Sequence, residues 1–372
     1  MITTLLIPEV HGSPHWLTLR SQAPSRPGSI LFHAPAQVFQ APGGGENQLV
    51  QTGRHLEALD VPVSLFSPWT SRLADARLLH LFGMSREGLE LARVAHAQDI
   101  PIALSPISWY HPRSLMSLAP NHFAAARSLA GWTLRRLAPR TPSWRRTLIQ
   151  LASAILPNSR AEASQLVSLF GANPRRIHVV PNGVEPRFAH ASPDLFHSLH
   201  RTDPFILYVG RIEPRKNVLG LIRSARSAAL PLVVIGNAPP GSEPYLAACR
   251  AAGLNHVRFI KAIPHDHPLL ASAYAASRAF ALPSWFETPG LALLEAALAG
   301  KPLVATPYGS APEYFGNLAL YARPDHPSEI VRALAQAYES TPDPRLPRHV
   351  QSHYLWSQVA RKTAEVYDQV AG

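Results

Sequence analysis

The sequence predicts an α/β protein made of two successive doubly wound halves, and three observations carry that expectation. At 372 residues the chain exceeds one ordinary core and suits two domains of usual size. Short β-rich runs alternate with helical patterns twice over, from Ser29 to about Ser108 and again from Phe205 to about Arg323. The runs are apolar on both faces, as strands of a parallel sheet covered by crossover helices must be.

Each element follows in order. Residues 1–28 are rich in Pro and Ser without a period and are expected to form an irregular extension. Ser29–Ala36 is the first strand. Gly43, Gly44 and Gly45 separate it from an amphipathic helix carrying Leu49, Val50, Leu56 and Leu59. "VPVSLFS" and "RLLHLFG" are further strands, "GLELARVAHAQD" a helix, and "IPIALSPIS" another buried strand. The chain from Arg127 to Leu156 reads as helical, followed by the helix "RAEASQLVSLFG" and the strand "RIHVVPNGV". "EPRFAHASPDLFHSLHRTDP" has weak periodicity and many turn formers, which places the connection between the halves there. The second series of strands is "FILYVG", "LPLVVIG", "HVRFIKAI", "SRAFALPS", "KPLVAT" and "LALYAR", and "SHYLWSQVARKTAEVYDQV" closes with an amphipathic helix. The implied domains are 29–195 and 196–351, with a helix at 352–372 crossing back to the first. Ligands of doubly wound sheets bind beyond the carboxyl ends of the strands, so the cleft between the halves is the expected site.

Composition narrows the class. Hydrophobic residues make up 46% and no run of about 18 apolar residues occurs, so a spanning helix is not expected. The first residues lack the pattern of a signal peptide, and a cytoplasmic location is expected. Cys249, the single cysteine, excludes an internal disulfide or a cysteine metal cluster and reads as a small core residue. A net charge of +11 favours anionic partners. Only four of the 35 basic residues are lysine, which reflects composition as readily as any one ligand.

Two motifs carry chemistry. In "PSWFETPGLALLEAALAGKP", Glu287 and Glu295 flank a Thr-Pro-Gly. Thr288 is expected to cap a helix with Pro289 in its first position, and Gly300 to end it. The exposed amides at such a start favour an anion. Glu295 shares a face with Leu291, Leu294 and Leu298, and a carboxylate on that stripe must be hydrogen-bonded. A structural ion pair and a ligand contact both satisfy this. "FILYVGRIEPRKN" places Arg211 and Lys216 just past a strand, where a forked cation and a point cation suit a diphosphate. No phosphate-binding P-loop or GxGxxG follows a strand, which disfavours nucleotide-hydrolysing and dinucleotide-dependent enzymes.

The series "GGGE", "VVPNGV", "YVGRIEPRKN", Glu287-x7-Glu295, "GKPLVAT" and "YGSAPEYFG" resembles family 4 glycosyltransferases of the GT-B fold, in which two Rossmann-like domains face a central cleft. The resemblance spans Ser29 onward and is strongest from Val179 to Gly316. It implies a retaining, metal-independent transfer of a sugar from a UDP- or GDP-linked donor to a carbohydrate or lipid-linked acceptor, with no cofactor. By the same resemblance Glu295 would hold the donor ribose and Glu287 would lie near the transferred sugar. Arg211 and Lys216 would bind the diphosphate, and the backbone around Thr288, Pro289, Gly290 and Leu291 would contact sugar or phosphate. Gly43, Gly44 and Gly45 would let backbone approach the donor, while Asn182 and Gly183 match a junction motif or form a plain turn.

Departures matter too. "ETPG" stands where relatives commonly have "EGFG", which alters the sugar pocket. The histidine usual at the end of the strand "IPIALSPIS" is missing, and His111 is the candidate in its place. His265–His267, "HDH", lacks the carboxylate cluster a metal site needs.

The segment 127–150 carries Arg127, Arg135, Arg136, Arg140, Arg145 and Arg146 with Trp132 and Trp144. Peripheral docking on anionic lipid and a plain solvated face are both open. Nucleic acid is not expected, since no binding motif accompanies the charge. The competing functional classes are a nucleotide-sugar epimerase or hydrolase on the same fold, and a non-catalytic nucleotide-sugar binder.

Overall fold

A computed structural model of the chain describes residues 28–35, 38, 43–200, 204–254, 256–288 and 290–371. The expected extension (all but Gly28), Ala36, residues 201–203 of the connection, Pro289 and Gly372 lie outside the described residues.

The first half comprises β1 (Ser29–His33), α1 (Gly44–Glu57), β2 (Val63–Leu65), β3 (Ala76–Phe82), α2 (Arg86–Ala97), β4 (Ile102–Ser105), α3 (Pro112–Ser117), α4 (His122–Leu137), α5 (Trp144–Leu151), β5 (Ala154–Ile155) and α6 (Arg160–Phe170). Its strands pair in parallel in the order β2-β1-β3-β4-β5. The sheet is covered on both faces. Ile30, Phe32, Leu78 and Phe82 point into one core and Leu31, Leu79, Leu81 and Leu104 into the other, as alternation along buried strands requires.

The second half runs through α7 (Asp194–His200), β6 (Ile206–Val209), α8 (Val218–Ser227), β7 (Leu232–Ile235), α9 (Glu243–Gly253), β8 (Val257–Ile260), α10 (Pro268–Ala276), β9 (Ala279–Leu282), α11 (Leu291–Leu298), β10 (Leu303–Ala305), α12 (Ala311–Phe315), β11 (Leu320–Tyr321), α13 (Pro327–Glu339) and α14 (Arg345–His353). The order β11-β10-β9-β6-β7-β8, again all parallel, is that of a dinucleotide-type doubly wound sheet. Cys249 is buried and free in this core.

Three elements differ from expectation. The stretch 127–156 is interrupted: α4 stops before Pro139 and α5 starts after Pro142, because proline lacks the donor a helix needs, and residues 154–155 are a strand. "RIHVVPNGV" is not a regular strand. His178 and Val180 donate to Ile155 and Pro157 beside β5, then Pro181, with no N–H, ends the pairing. The glycine run is shorter than a loop, since Gly44 and Gly45 already lie in the first turn of α1.

The chain leaves one core for the other between Val180 and Val184. It returns with α15 (Trp356–Ala371), whose Trp356, Val359, Ala360, Val366 and Tyr367 pack in the first half's core beside Leu49 and Phe82. His80 anchors this helix: its Nδ1 meets the Tyr367 hydroxyl at 2.5 Å and its Nε2 meets Ser105 Oγ at 2.9 Å. Burial pushes the His80 pKa down to about 3, so the ring is neutral. Where the two crossings touch, a Cβ on Gly183 would fall 2.7 Å from the Trp356 ring and 2.8 Å from its backbone nitrogen, so only glycine fits.

Candidate functional site

In each sheet the strand order reverses at one place, beside β1 and β3 in the first and between β6 and β9 in the second. Loops diverge there at the carboxyl ends and leave a crevice. Arg211 and Lys216 follow β6, Glu287 follows β9, and the Gly43–Gly45 turn follows β1. All the principal sequence candidates therefore converge on the switch points.

Contact between the halves is direct. A Cβ on Gly43 would lie 3.6 Å from Arg211 Nε, and one on Gly44 would lie 4.0 Å from Leu291 Cδ1. The first turn of α1 thus faces both the forked cation and the start of α11. Gly43 N donates to Glu46 Oε2 at 3.2 Å, which fixes that turn.

Lys216 sits in a short 3-10 turn, and its Nζ donates to Glu287 Oε1 at 2.6 Å. Burial lowers the Lys216 pKa despite the carboxylate. Burial alone would raise the Glu287 carboxyl, but Lys216 and Arg215 outweigh it and hold it below the ordinary value. Arg211 is freer, with its side chain 38% exposed and a single ion pair to Glu213 at 3.4 Å. The Glu287 backbone is clamped as well, for its N–H donates to Tyr308 O and its carbonyl accepts from Ser310 N. A Cβ on Gly309 would fall 2.0 Å from Glu287 O at φ +123°, so glycine is required there.

Glu295, two turns into α11, is 5% exposed. Its Oε2 accepts from Tyr274 OH at 2.6 Å and its Oε1 lies 2.9 Å from His265 Nε2. Burial would raise this carboxyl too, but His265, Tyr274 and Arg187 outweigh it and hold it low. A carboxylate offers about four acceptor sites, so roughly two stay open. His265 is itself held from the segment joining the halves: Glu185 Oε2 lies 3.5 Å from its Nδ1, and Arg187 donates to its carbonyl.

The start of α11 corrects the expectation for Thr288. The helix begins at Leu291 with Gly290 as N-cap at φ +81°, and no side chain caps it. Thr288 is half-buried two residues upstream. The start of α11 borders Glu287, since a Cβ on Gly290 would lie 3.3 Å from Glu287 Oε2, and the Leu293 N–H already donates to Gly290 O at 2.9 Å.

His111, from the first half, packs on the loop after β10 that pairs with Glu287. Its ring stacks on Tyr308 at 4.3 Å, and burial and Arg113 lower its pKa. Arg113 donates to Tyr308 OH at 2.5 Å and Ser114 Oγ to Trp285 O at 2.9 Å, so α3 clasps the loops that carry Glu287. Asn182 supports the junction, donating to Tyr314 OH at 2.8 Å and to Gln48 Oε1 at 3.1 Å.

Sequence reasoning missed Tyr274, Arg187, Tyr308 and Arg113, and left His265 without a role. A tyrosine inside an apolar helix was the one available signal for Tyr274. The others depend on loops from different halves meeting. Among the described residues no group of three or more His, Cys, Asp or Glu is placed to hold a metal ion. Arg145 lies over the Trp144 ring and Trp132 packs against the first half, so neither tryptophan of the basic segment faces outward as a docking side chain.

Residues 42–188 match the family described as Glycosyltransferase Family 4, and residues 195–350 match Glycosyl transferases group 1. The chain belongs to the family 4, group 1 glycosyltransferases. Similar curated proteins of this family include D-inositol 3-phosphate glycosyltransferase 2 of Catenulispora acidiphila, 31% identical over 60% of this chain and 57% of that protein. D-inositol 3-phosphate glycosyltransferase of Kribbella flavida is 34% identical over 44% and 42% respectively. The chain thus spans about half the length of the curated relatives it matches. Among solved structures, sucrose-phosphate synthase of Thermosynechococcus elongatus aligns over 92% of this chain and 99% of its own, at a TM-score of 0.71 and 18% identity. Anabaena HepE, solved with UDP and glucose, aligns over 92% and 99% at 0.68 and 19%. These likenesses establish the GT-B fold.

Proposed function

We propose that the protein is a retaining glycosyltransferase that moves a sugar from a nucleoside-diphosphate donor to a carbohydrate or lipid-linked acceptor. The observation that carries the reading is the convergence of Arg211, Lys216, Glu287, Glu295 and the Gly43 turn on the two switch points. Names of related proteins point the same way, toward phosphorylated inositol acceptors in the curated relatives and UDP-linked glucose in HepE.

In this reading the two open acceptor sites of Glu295 take the paired ribose hydroxyls. Arg211, Lys216 and the amides opening α11 face the diphosphate. As the anomeric carbon–oxygen bond breaks, its electron pair stays on the β-phosphate oxygen, and these fixed positive groups stabilise the charge without a divalent cation. The acceptor oxygen bonds to the anomeric carbon from the same face and its proton passes to the departing phosphate. Glu287, ionised and held by Lys216, orients the sugar hydroxyls, and His111 lines the acceptor side.

The test is a thermal-shift screen of UDP- and GDP-sugars, followed by mass spectrometry and anomeric NMR of the product with and without EDTA. A transferred sugar of unchanged configuration, formed equally with EDTA, is expected. Arg211→Ala and Lys216→Ala should each lower turnover at saturating donor. Wild-type turnover in both variants overturns the assignment, and free sugar formed from donor alone favours a hydrolase instead.

A further inference from the structure

We infer that α4 carries a docking surface for an anionic lipid bilayer, independent of the transfer reading above. Helix α4 has 16 residues and buries none of them. Its Asn121 N-cap and the packing of Trp132 hold one face to the protein. The opposite face is exposed and apolar. Phe123, Ala126, Ala130, Leu134 and Leu137 recur at helical spacing within about 100° of arc, with Arg127 among them. Phe123 is 78% exposed, Leu134 55% and Leu137 80%.

Charge selects the occupant. From Ile100 to Ala161 the sequence has no Asp or Glu, while Arg113, Arg127, Arg135, Arg136, Arg140, Arg145, Arg146 and Arg160 fall inside it. Arg146 is spent on the carbonyl of Phe170, and Arg145 covers Trp144, but Arg127, inside the stripe, and Arg140, just past the end of the helix, are exposed. A second copy of the chain would set these cations against their own kind. A nucleic acid would satisfy the arginines and leave phenylalanine and two leucines wet. An interface of lipid headgroups over acyl chains satisfies both: the apolar stripe enters the acyl boundary while arginines at its rim meet phosphate. Helix α3, just before α4, clasps the Glu287 loops, so the surface would hold the crevice beside the bilayer.

The test is co-sedimentation of the full chain with vesicles of phosphatidylglycerol and phosphatidylcholine, against vesicles of phosphatidylcholine alone. Binding to the anionic vesicles, weakened by salt, is expected. Phe123→Ser/Leu134→Ser/Leu137→Ser should lower it more than tenfold, with an unchanged melting temperature because all three side chains are exposed. Arg127→Glu/Arg140→Glu should act similarly, whereas Arg332→Glu/Arg361→Glu, the same charge change on exposed residues elsewhere, should not. Equal loss in both arginine pairs, wild-type binding by the serine variant, or no preference for the anionic vesicles overturns the proposal. A concentration-dependent dimer that the serine variant abolishes would also overturn it.

Discussion

Both halves bury carboxylates, but they neutralise them in opposite ways. Glu162 in the first half is fully buried with no cation beside it. It accepts from Ser108 N at 2.6 Å and Asn158 N at 2.9 Å, and it sits in the first turn of α6. Burial outweighs those bonds and pushes its pKa up to about 7. Glu287 and Glu295 are buried as deeply, yet each faces a cationic or hydroxyl donor and stays low. The first arrangement fastens the loop after β4, where Ile107 holds a left-handed φ of +48°. The second keeps ionised oxygens at the edge of the crevice. Depth of burial alone does not set the charge of a carboxylate; the company it keeps does.

Breaking that company at Lys216 should have the largest effect. Lys216→Ala leaves Glu287 charged and unpaired, which costs about 3–5 kcal/mol in urea unfolding and lowers single-turnover rate about 10²–10³-fold. Arg211→Ala, by contrast, should slow transfer while stability stays within about 0.5 kcal/mol, since that side chain is partly exposed. Equal stability of both variants would mean the buried pair contributes nothing.

Next in size is the pH dependence of folding. A carboxyl raised on folding binds its proton more tightly in the native state, so its contribution falls as pH rises from about 4.5 to about 7. The decline from Glu162 should be on the order of 3 kcal/mol. The lowered Glu287 and Glu295 act with the opposite sign, their stabilisation being full above the ordinary carboxylate value and lost as pH drops through their folded values. Urea midpoints between pH 5 and 8 should flatten in Glu162→Gln at a lower overall stability; an undiminished decline there would assign it to another group.

The smallest effect sharpens the same contrast. His265→Ala removes one donor from Glu295 and should raise the donor KM about tenfold with little change in kcat. His265→Gln, which can still donate, should recover part of it. A fall in kcat alone would place His265 elsewhere in the reaction.

The sheets were legible because parallel strands buried on both faces leave runs such as "LVVI" and "AFAL" that no other element explains. Arg211, Lys216 and Glu287 were legible as types because they follow strand ends. Thr288 was misread because a left-handed Gly290 delays the helix by two residues, and a Thr-Pro pair looks the same in either case. His265 and Tyr274 were invisible for another reason: their meaning lies in Glu295, 30 and 21 positions away, and only the packing of α10 on α11 brings them together.

The return of α15 to the first half bears on how the protein is made. Trp356 and Tyr367 are translated after the whole of the second sheet, so the earlier core stays unfinished while the later one emerges from the ribosome and folds. Domains ordinarily fold in order of synthesis. Here the first to appear is the last to close, and Leu49, Phe82 and the His80 ring await their cover until the final helix arrives.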